Sequence, residues 1–235
     1  MRLRSTEKPD DPVLAFPGVQ LDSAAQVPPR AIDVDPLVAV IGDPADRLAV
    51  QARDIQSSLS ALRLPDGSVP ASIAVIGVDA PDEAAVLTAN IAVSAALNGQ
   101  RTLLIDMAQS GFIQHRLLRA EPYVVRTEHV DDLFRIIQPS CVPSLSLMAM
   151  PAKDEATGDT QPLSSFAQRL APLSSHFDLS LVDASHVDDL AVAAASAQAA
   201  IIAVRRDGTR TASLKSAIQK LSMLNTPLIG TVMLV

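Results

Sequence analysis

The sequence predicts an α/β fold, with a doubly wound, mostly parallel sheet and helices on both of its faces. From residue 37 onwards, short and continuously apolar runs alternate with amphipathic stretches, which is typical of buried parallel strands covered by helices. Hydrophobic residues make up 48% of the chain, whereas aromatic residues make up only 3% and tryptophan is absent. We therefore expect a core of alanine, valine, leucine and isoleucine, which suits a parallel sheet.

The chain has 235 residues, the length of one such domain with an additional tail. Residues 1–36 contain six of the 17 prolines and show no hydrophobic periodicity. We therefore expect an extended N-terminal tail over 1–36 and a single α/β domain over 37–235.

Strands and helices alternate along that domain. In the first helix, Leu48, Ala52, Ile55 and Leu59 recur at helical spacing. The predicted strands span 37–42, 72–77, 102–106, 144–150, 179–183, 200–204 and 228–234. The predicted helices span 45–62, 81–98, 110–119, 129–138, 162–176, 187–198 and 209–224.

The segment 72–92 has the strand, turn and helix of a phosphate-binding loop, but it lacks the chemistry of one. Such a loop needs glycines that let backbone N–H groups surround the anion, a lysine for the outer phosphates and a Ser/Thr hydroxyl for Mg²⁺. Counted back from Asn90, the Gly-Lys-Ser/Thr positions are occupied by Glu83, Ala84 and Ala85. We therefore expect no ATP or Mg²⁺ to bind in the manner of a phosphate loop.

The charges of the same turn support that expectation. A helix N-terminus attracts anions because it carries a partial positive charge and unpaired N–H donors. Here Asp79, Asp82 and Glu83 supply the anions from within the chain. We expect Asp79 to cap the helix and Pro81 to lie in its first turn.

Two further carboxylates end predicted strands. In doubly wound sheets the functional groups gather beyond the carboxyl ends of the strands, so Asp106 and Asp183 should lie on the same edge as the 77–83 turn. Each could hold Mg²⁺, or could cap a helix or accept a nearby N–H without any metal. We favour the second interpretation because neither a lysine nor a second aspartate accompanies them.

Composition limits the partners and the compartment. A formal net charge of −7 without a basic run argues against nucleic-acid binding. No apolar stretch approaches the ~20 residues that span a bilayer, and the N-terminus does not have the pattern of a signal peptide. Cys141 is the only cysteine, which favours a reducing compartment. The four histidines lack metal-ligand spacing, so we predict no metal site. Together, these observations predict a cytoplasmic protein that is peripheral at the inner membrane only through a partner.

The order of these signals resembles the cytoplasmic domain of bacterial tyrosine autokinases of the CpsD/CapB type, a branch of the MinD/ParA deviant-Walker ATPases with a P-loop NTPase-like fold. The resemblance covers 43–235, nearly the whole predicted domain. The segments that carry it are 43–59, 88–118, 130–152, 177–185 and 199–234.

The resemblance implies that most of the family's functional residues are missing. The phosphate-loop lysine and hydroxyl residue correspond to Ala84 and Ala85. The paired aspartates of the second Walker-type motif correspond to Asp106 and Ala108, whereas the Walker B aspartate, Asp183, is present.

The same comparison applies to the family's subunit contacts and phosphorylation sites. The subunit-contact helix of the family carries a glutamate and two arginines, which correspond here to Val50, Arg53 and Gln56. Arg53 and Gln56 are therefore the candidate interaction residues. The family's terminal tyrosine cluster has no counterpart, because Tyr123 is the only tyrosine.

The resemblance, together with the missing functional residues, implies a catalytically inactive pseudo-kinase. It would be an accessory or regulatory partner in bacterial exopolysaccharide synthesis and export, of capsule or holdfast type. Its expected partner is the membrane-embedded polysaccharide co-polymerase that regulates chain length, and homo-oligomerisation stays open. The alternative is a MinD/ParA-like ATPase or positioning factor with a rebuilt nucleotide site.

Overall fold

A seven-stranded sheet forms the centre of the domain, with the strand order β3-β4-β2-β5-β1-β6-β7. The computed structural model describes residues 32–64, 66–108, 111–123, 133–150, 170, 172–173, 175–187 and 190–234, which belong to one compact unit, Ile32–Val235. The strands are Ser72–Val78 (β1), Thr102–Asp106 (β2), Gln138–Pro139 (β3), Leu145–Ala149 (β4), Leu179–Asp183 (β5), Ala199–Arg205 (β6) and Leu228–Leu234 (β7). The helices are Ala39–Gly42 (α1), Arg47–Ala61 (α2), Pro81–Leu97 (α3), Ile113–Leu117 (α4), Leu190–Ser196 (α5) and Thr211–Met223 (α6), with a 3₁₀ turn at Leu133–Ile136.

All strand pairs are parallel except the short pair of β3 with β4. Strand β1 lies between β5 and β6, and β2 lies between β4 and β5. The carboxyl ends of β1, β2 and β5 therefore lie side by side, which is where a doubly wound sheet carries its site. The predicted fold class is confirmed.

Helices cover both faces of the sheet. On one face α2, α3 and α4 pack against the strands, and on the other face the 3₁₀ turn, α5 and α6 do so. Helix α3 is buried on nearly all sides because α2 covers its outer surface. Its sequence, PDEAAVLTANIAVSAAL, is correspondingly apolar all round, as expected for a helix enclosed by other elements.

The prediction of a strand over 37–42 is wrong, because Ala39–Gly42 form the short helix α1. A short apolar run does not distinguish a buried strand from a buried helix. Here the fully buried side chain of Asn90 decides the outcome. Its Oδ1 accepts the N–H of Val40 at 3.1 Å and its Nδ2 donates to the carbonyl of Leu37 at 2.9 Å, so the segment is attached to α3 and not to a sheet edge.

The region after α4 also differs from the prediction. Within the predicted helix 129–138, the described residues form a 3₁₀ turn at Leu133–Ile136, and β3 begins at Gln138. Pro139 lies in this two-residue edge strand, where a missing N–H is tolerated. Most of the predicted helix 162–176 lies outside the described residues.

The predicted tail is described only from Ile32 onwards. Ile32 and Val34 are partly buried against the core, and the N–H of Asp35 donates to the carbonyl of Leu117 at 2.8 Å. Residues 32–36, which the sequence assigns to the tail, therefore contact the domain.

Candidate functional site

The turn between β1 and α3 leaves no room for a side chain at Gly77. A Cβ there would lie 2.9 Å from the carbonyl oxygen of Ala80, from Cα of Pro81 and from Cβ of Ala84. Asp79 has the left-handed φ of 57°, a conformation that aspartate adopts more readily than most residues. As predicted, Pro81 lies in the first turn of α3, where its missing N–H is not needed.

The prediction that Asp79 caps α3 is wrong. Ala80 is the N-cap residue, and no side chain caps the helix. The carboxylate of Asp79 accepts the backbone N–H of Arg210 at 2.9 Å, and its Oδ1 lies 3.2 Å from the Arg210 guanidinium. The segment that leads into α6 therefore offers this carboxylate an N–H donor and a cation together, which the first turn of α3 does not.

The other two acidic residues of the turn are also paired within the chain. Glu83 Oε1 lies 2.6 Å from the Arg205 guanidinium, and Asp82 Oδ1 lies 3.1 Å from His186 Nε2. Arg205 ends β6 and His186 follows β5, so both partners come from the carboxyl side of the sheet. The acidic groups at the start of α3 are thus matched by side chains of this same domain.

The pair of Asp79 with Arg210 perturbs the ionisation of both groups. Hydrogen bonds from Arg210, first from its side chain and then from its backbone, lower the pKa of Asp79 to about 2. The same contact raises the pKa of Arg210. Asp79 is therefore ionised at neutral pH.

Ala84 and Ala85 are the residues that the sequence assigns to the lysine and hydroxyl positions of a phosphate loop. Both side chains are fully buried, and Ala84 belongs to the core that joins α3 to the sheet. The carbonyl of Ala85 accepts the side-chain amide of Gln114 at 2.9 Å. Neither residue offers a phosphate or a metal ion any side-chain donor or ligand.

The carboxylates Asp106 and Asp183 lie directly opposite each other at the ends of β2 and β5. Both are buried. Asp106 Oδ1 accepts the N–H of Ala108 at 3.1 Å, and Asp183 Oδ1 accepts the N–H of Ser185 at 3.0 Å. Each carboxylate thus accepts the N–H two residues further along the chain. Burial, more than the nearby Asp106, raises the pKa of Asp183.

Gln114 joins the two carboxylates from α4. Its backbone N–H donates to Asp106 Oδ2 at 2.9 Å, and its side-chain Nε2 donates to Asp183 Oδ2 at 2.6 Å. The same Nε2 donates to the carbonyl of Ala85, while the buried Oε1 has no hydrogen-bond partner among the described residues. An amide donor therefore occupies one carboxylate oxygen of Asp183.

His115 completes this cluster. Its ring is buried, and Nδ1 lies 3.5 Å from Asp106 Oδ2, whereas the buried Nε2 has no hydrogen-bond partner among the described residues. The ring of Phe112 meets it edge to face, with the two centroids 6.1 Å apart. The contact at 3.5 Å is at the limit of a hydrogen bond, so packing contributes to the placement of His115 together with the polar contact.

The structure places the two candidate interaction residues of α2 differently. Gln56 is buried and turned towards the end of α3, where its amide bonds to Asn98 at 2.9 Å and to Gln100 at 3.0 Å. Arg53 is half-buried, and its guanidinium donates to the carbonyl of Pro44. Of the two, only Arg53 presents part of its side chain to the surface.

Two kinds of feature are absent from the described part of the chain. No three Asp, Glu, His or Cys side chains converge there as a group that could hold a metal ion. None of the helices there combines the length and the apolar character that crossing a bilayer requires.

Comparison with known proteins identifies the fold. No family profile and no curated protein matches the sequence. Among solved structures, the chimeric protein CapA2B2 superposes with a TM-score of 0.69 at 18% identity, over 86% of this chain and 91% of the other. The kinase domain of the Escherichia coli tyrosine kinase Etk gives a TM-score of 0.68 at 18% identity, over 83% of this chain and 78% of the other.

A MinD protein from Pyrococcus horikoshii, solved with Mg-ADP, gives a TM-score of 0.55 at 17% identity, over 69% of each chain. The chain thus has the P-loop NTPase-like fold that bacterial tyrosine kinase domains share with MinD-type ATPases, as the resemblance implied. At these identities the similarity is one of fold.

Sequence reasoning missed the partners of the predicted carboxylates. It singled out Asp79, Asp82, Glu83, Asp106 and Asp183, but it did not identify Gln114, His115 or the three side chains that pair with the turn. The chain separation between Glu83 and Arg205 is 122 residues, so no local spacing reports the contact. Only the placement of Arg205 at the end of a strand, on the same edge as the turn, could have suggested it.

Proposed function

We propose that this domain is a catalytically inactive relative of the bacterial tyrosine autokinases that acts through its surfaces. The observation that carries the proposal is the pairing of Asp79 with Arg210 and of Glu83 with Arg205 at the start of α3. A triphosphate at this turn would meet carboxylates already bound to the chain's own arginines. It would find alanines in place of the lysine and the hydroxyl residue.

The buried cluster supports the same proposal. The residues do not match what a magnesium nucleotide requires, because Gln114 donates an amide N–H to Asp183 where a cation would need a free oxygen. The second oxygen of Asp183 accepts the N–H of Ser185. Both oxygens of the Walker B aspartate are thus committed to donors from the protein.

By the family resemblance, we propose that the domain is an accessory or regulatory partner in exopolysaccharide synthesis and export. Its partner would be the membrane polysaccharide co-polymerase, and its location cytoplasmic and peripheral at the inner membrane. Arg53, on α2, is the contact that we assign to that partner. A pull-down of the co-polymerase by the wild-type chain, lost in Arg53→Glu and retained in the matched change Arg116→Glu on α4, would support this assignment.

Isothermal titration calorimetry with ATP and Mg²⁺ tests the inactive state. We expect no heat of binding from the wild type and none from Asp183→Asn. Binding in the micromolar range by the wild type, lost in Asp183→Asn, would reject the proposal. The same result would favour the alternative, a MinD/ParA-like ATPase or positioning factor in which Asp106 and Asp183 serve a rebuilt site.

A second pair of samples separates the two causes of inactivity. Ala84→Lys with Ala85→Thr restores the missing donors but keeps the acidic turn, and the further changes Asp79→Asn and Glu83→Gln remove two of its carboxylates. If the acidic groups of the turn exclude the nucleotide, binding returns only in the quadruple variant. Circular dichroism confirms that each variant is folded, which matters because Ala84 and Ala85 are fully buried.

A further inference from the structure

Strand β7 forms one edge of the sheet and has the properties of a pairing surface. It hydrogen-bonds to β6 on one side, and no described strand lies on its other side. Its sequence, LIGTVML, contains neither a charge nor a proline. The register shift in its pairing with β6 occurs at Ala200–Ile201, so Gly230–Leu234 are paired regularly. Soluble proteins usually protect such an edge with lysine, proline or a bulge.

A groove runs along this edge between β7 and α2. Towards the end of β7 it opens into a cavity of about 530 Å³ lined by Arg47, Val50, Thr231 and Met233, among others. Towards the start of β7 it continues as a cavity of about 230 Å³, lined by residues including Asp54 and Ile229. Val50 and Met233 are 41% and 49% exposed, which is high for apolar side chains beside a sheet.

The charges along this groove have a defined order. Arg47 and Asp54 lie seven residues apart on α2, about 10 Å along the helix axis, and both are exposed. Arg47 lines only the cavity at the end of β7, whereas Asp54 also lines the cavity nearer its start. Neither side chain has an ion-pair partner among the described residues. The groove is therefore positive towards one end of the strand and negative towards the other.

We propose that a second copy of this chain binds here, with the two β7 strands pairing antiparallel across a two-fold axis near Thr231. Such an axis stands perpendicular to the sheet, so the pairing makes one continuous sheet and brings both α2 helices to the same face, running antiparallel. The interface is isologous, since the same patch is used on both copies.

Charge complementarity selects this occupant and this direction. The antiparallel arrangement places Arg47 of each copy beside Asp54 of the other, which gives two symmetric ion pairs. Parallel pairing would instead place the two α2 helices on opposite faces of the sheet, where these ion pairs could not form. Val50 and Met233 become covered by the second copy. The backbone N–H and C=O groups on the outer side of β7 find partners, except the carbonyl of Met233, which accepts Gln51 Nε2 at 2.7 Å within the chain.

Sedimentation velocity of the full chain over a concentration series tests the proposal. We expect a dimer that dissociates on dilution. Thr231→Lys brings two lysines together at the axis, where like charges oppose pairing, and should give a monomer. Arg47→Asp and Asp54→Arg should each raise the dissociation constant about tenfold or more.

The charge-swapped double variant, Arg47→Asp with Asp54→Arg, decides between this interface and any other. It recreates both ion pairs with reversed signs, so it should restore dimerisation towards that of the wild type. Arg116→Asp, the same charge change on α4 far from β7, is the control and should leave the dimer intact. A wild type that stays monomeric at every concentration would overturn the proposal. So would a dimer that survives Thr231→Lys, or a double variant no better than the worse single one.

Discussion

Asp106 and Asp183 lie in direct register on neighbouring strands, both buried, and Gln114 donates one hydrogen bond to each. Two carboxylates so placed would repel each other if both were ionised in a medium of low dielectric constant. In this chain, N–H groups of the protein offset that repulsion by donating hydrogen bonds to both carboxylates. The pair thus belongs to a buried polar cluster at the carboxyl ends of β2 and β5.

The raised pKa of Asp183 predicts a specific pH dependence of stability. Because its folded-state pKa lies above the unfolded value, the folded state binds the proton more tightly. Its favourable contribution is complete below the unfolded pKa and is lost as pH rises through the folded pKa. We expect Asp183→Asn to gain stability relative to the wild type as pH rises from 4 to neutrality. Urea unfolding at several pH values measures this difference, and a pH-independent difference would contradict it.

The lowered pKa of Asp79 predicts a pH dependence of stability with the opposite sign. Its folded-state pKa of about 2 lies below the unfolded value, so its contribution is present above pH 4 and is lost as pH falls towards 2. Asp79→Asn should therefore be less stable than the wild type at neutral pH, and the difference should disappear in acid. Arg210→Met removes the largest cause of the shift, the side-chain hydrogen bond, but keeps the backbone N–H donor. It should therefore move the pKa of Asp79, measured by NMR titration, part of the way back towards its ordinary value. An unchanged titration in that variant would reject the assignment.

Gln114 predicts a loss of stability that does not depend on any ligand. Gln114→Met keeps the length of the side chain but removes the donor to Asp183 and to the carbonyl of Ala85. Asp183 Oδ2 is buried and loses this donor, which costs about 1–3 kcal/mol, whereas the carbonyl of Ala85 keeps its hydrogen bond within α3. We therefore expect a loss of about 2 kcal/mol in the free energy of unfolding. Gln219→Met on the exposed face of α6 is the matched control and should change it by less than about 0.5 kcal/mol. Equal effects of the two changes would refute the structural role of Gln114.

The sequence could predict the sheet but not every connection. The strands around Ile73, Leu104, Leu181 and Ile202 were predicted because continuously apolar runs of this length fit a sheet covered on both faces. The run beginning at Leu37 has the same composition but forms a helix, because Asn90, more than 50 residues away, bonds to its backbone. A local pattern does not contain that contact.

The candidate site, like the fold, could be predicted from the sequence only in part. The positions of Asp106 and Asp183 followed from their place at strand ends, since parallel strands present their carboxyl ends on one edge. The role of Gln114 did not follow, because glutamine carries no charge signal and the predicted helix over 110–119 does not show which of its side chains meets the two carboxylates. Asp79 does not cap α3 because it bonds to Arg210 instead. These two residues are 131 positions apart in the chain, so the local sequence does not show the contact.

The last prediction concerns Asn90, whose buried side-chain amide holds the segment 37–42 that was wrongly predicted to be a strand. Asn90→Ala leaves the N–H of Val40 and the carbonyl of Leu37 without their side-chain partners, and we expect α1 to open more often than the rest of the domain. Amide hydrogen exchange should then become faster at Val40. The amides of β1, such as that of Val75, should lose no more protection than the global loss of stability, about 2 kcal/mol, accounts for. Asn98→Ala, which removes an amide at the end of the same helix, is the control and should leave exchange at Val40 unchanged. Uniform acceleration throughout the domain in Asn90→Ala would show that α1 and the sheet unfold as one unit, contrary to this prediction.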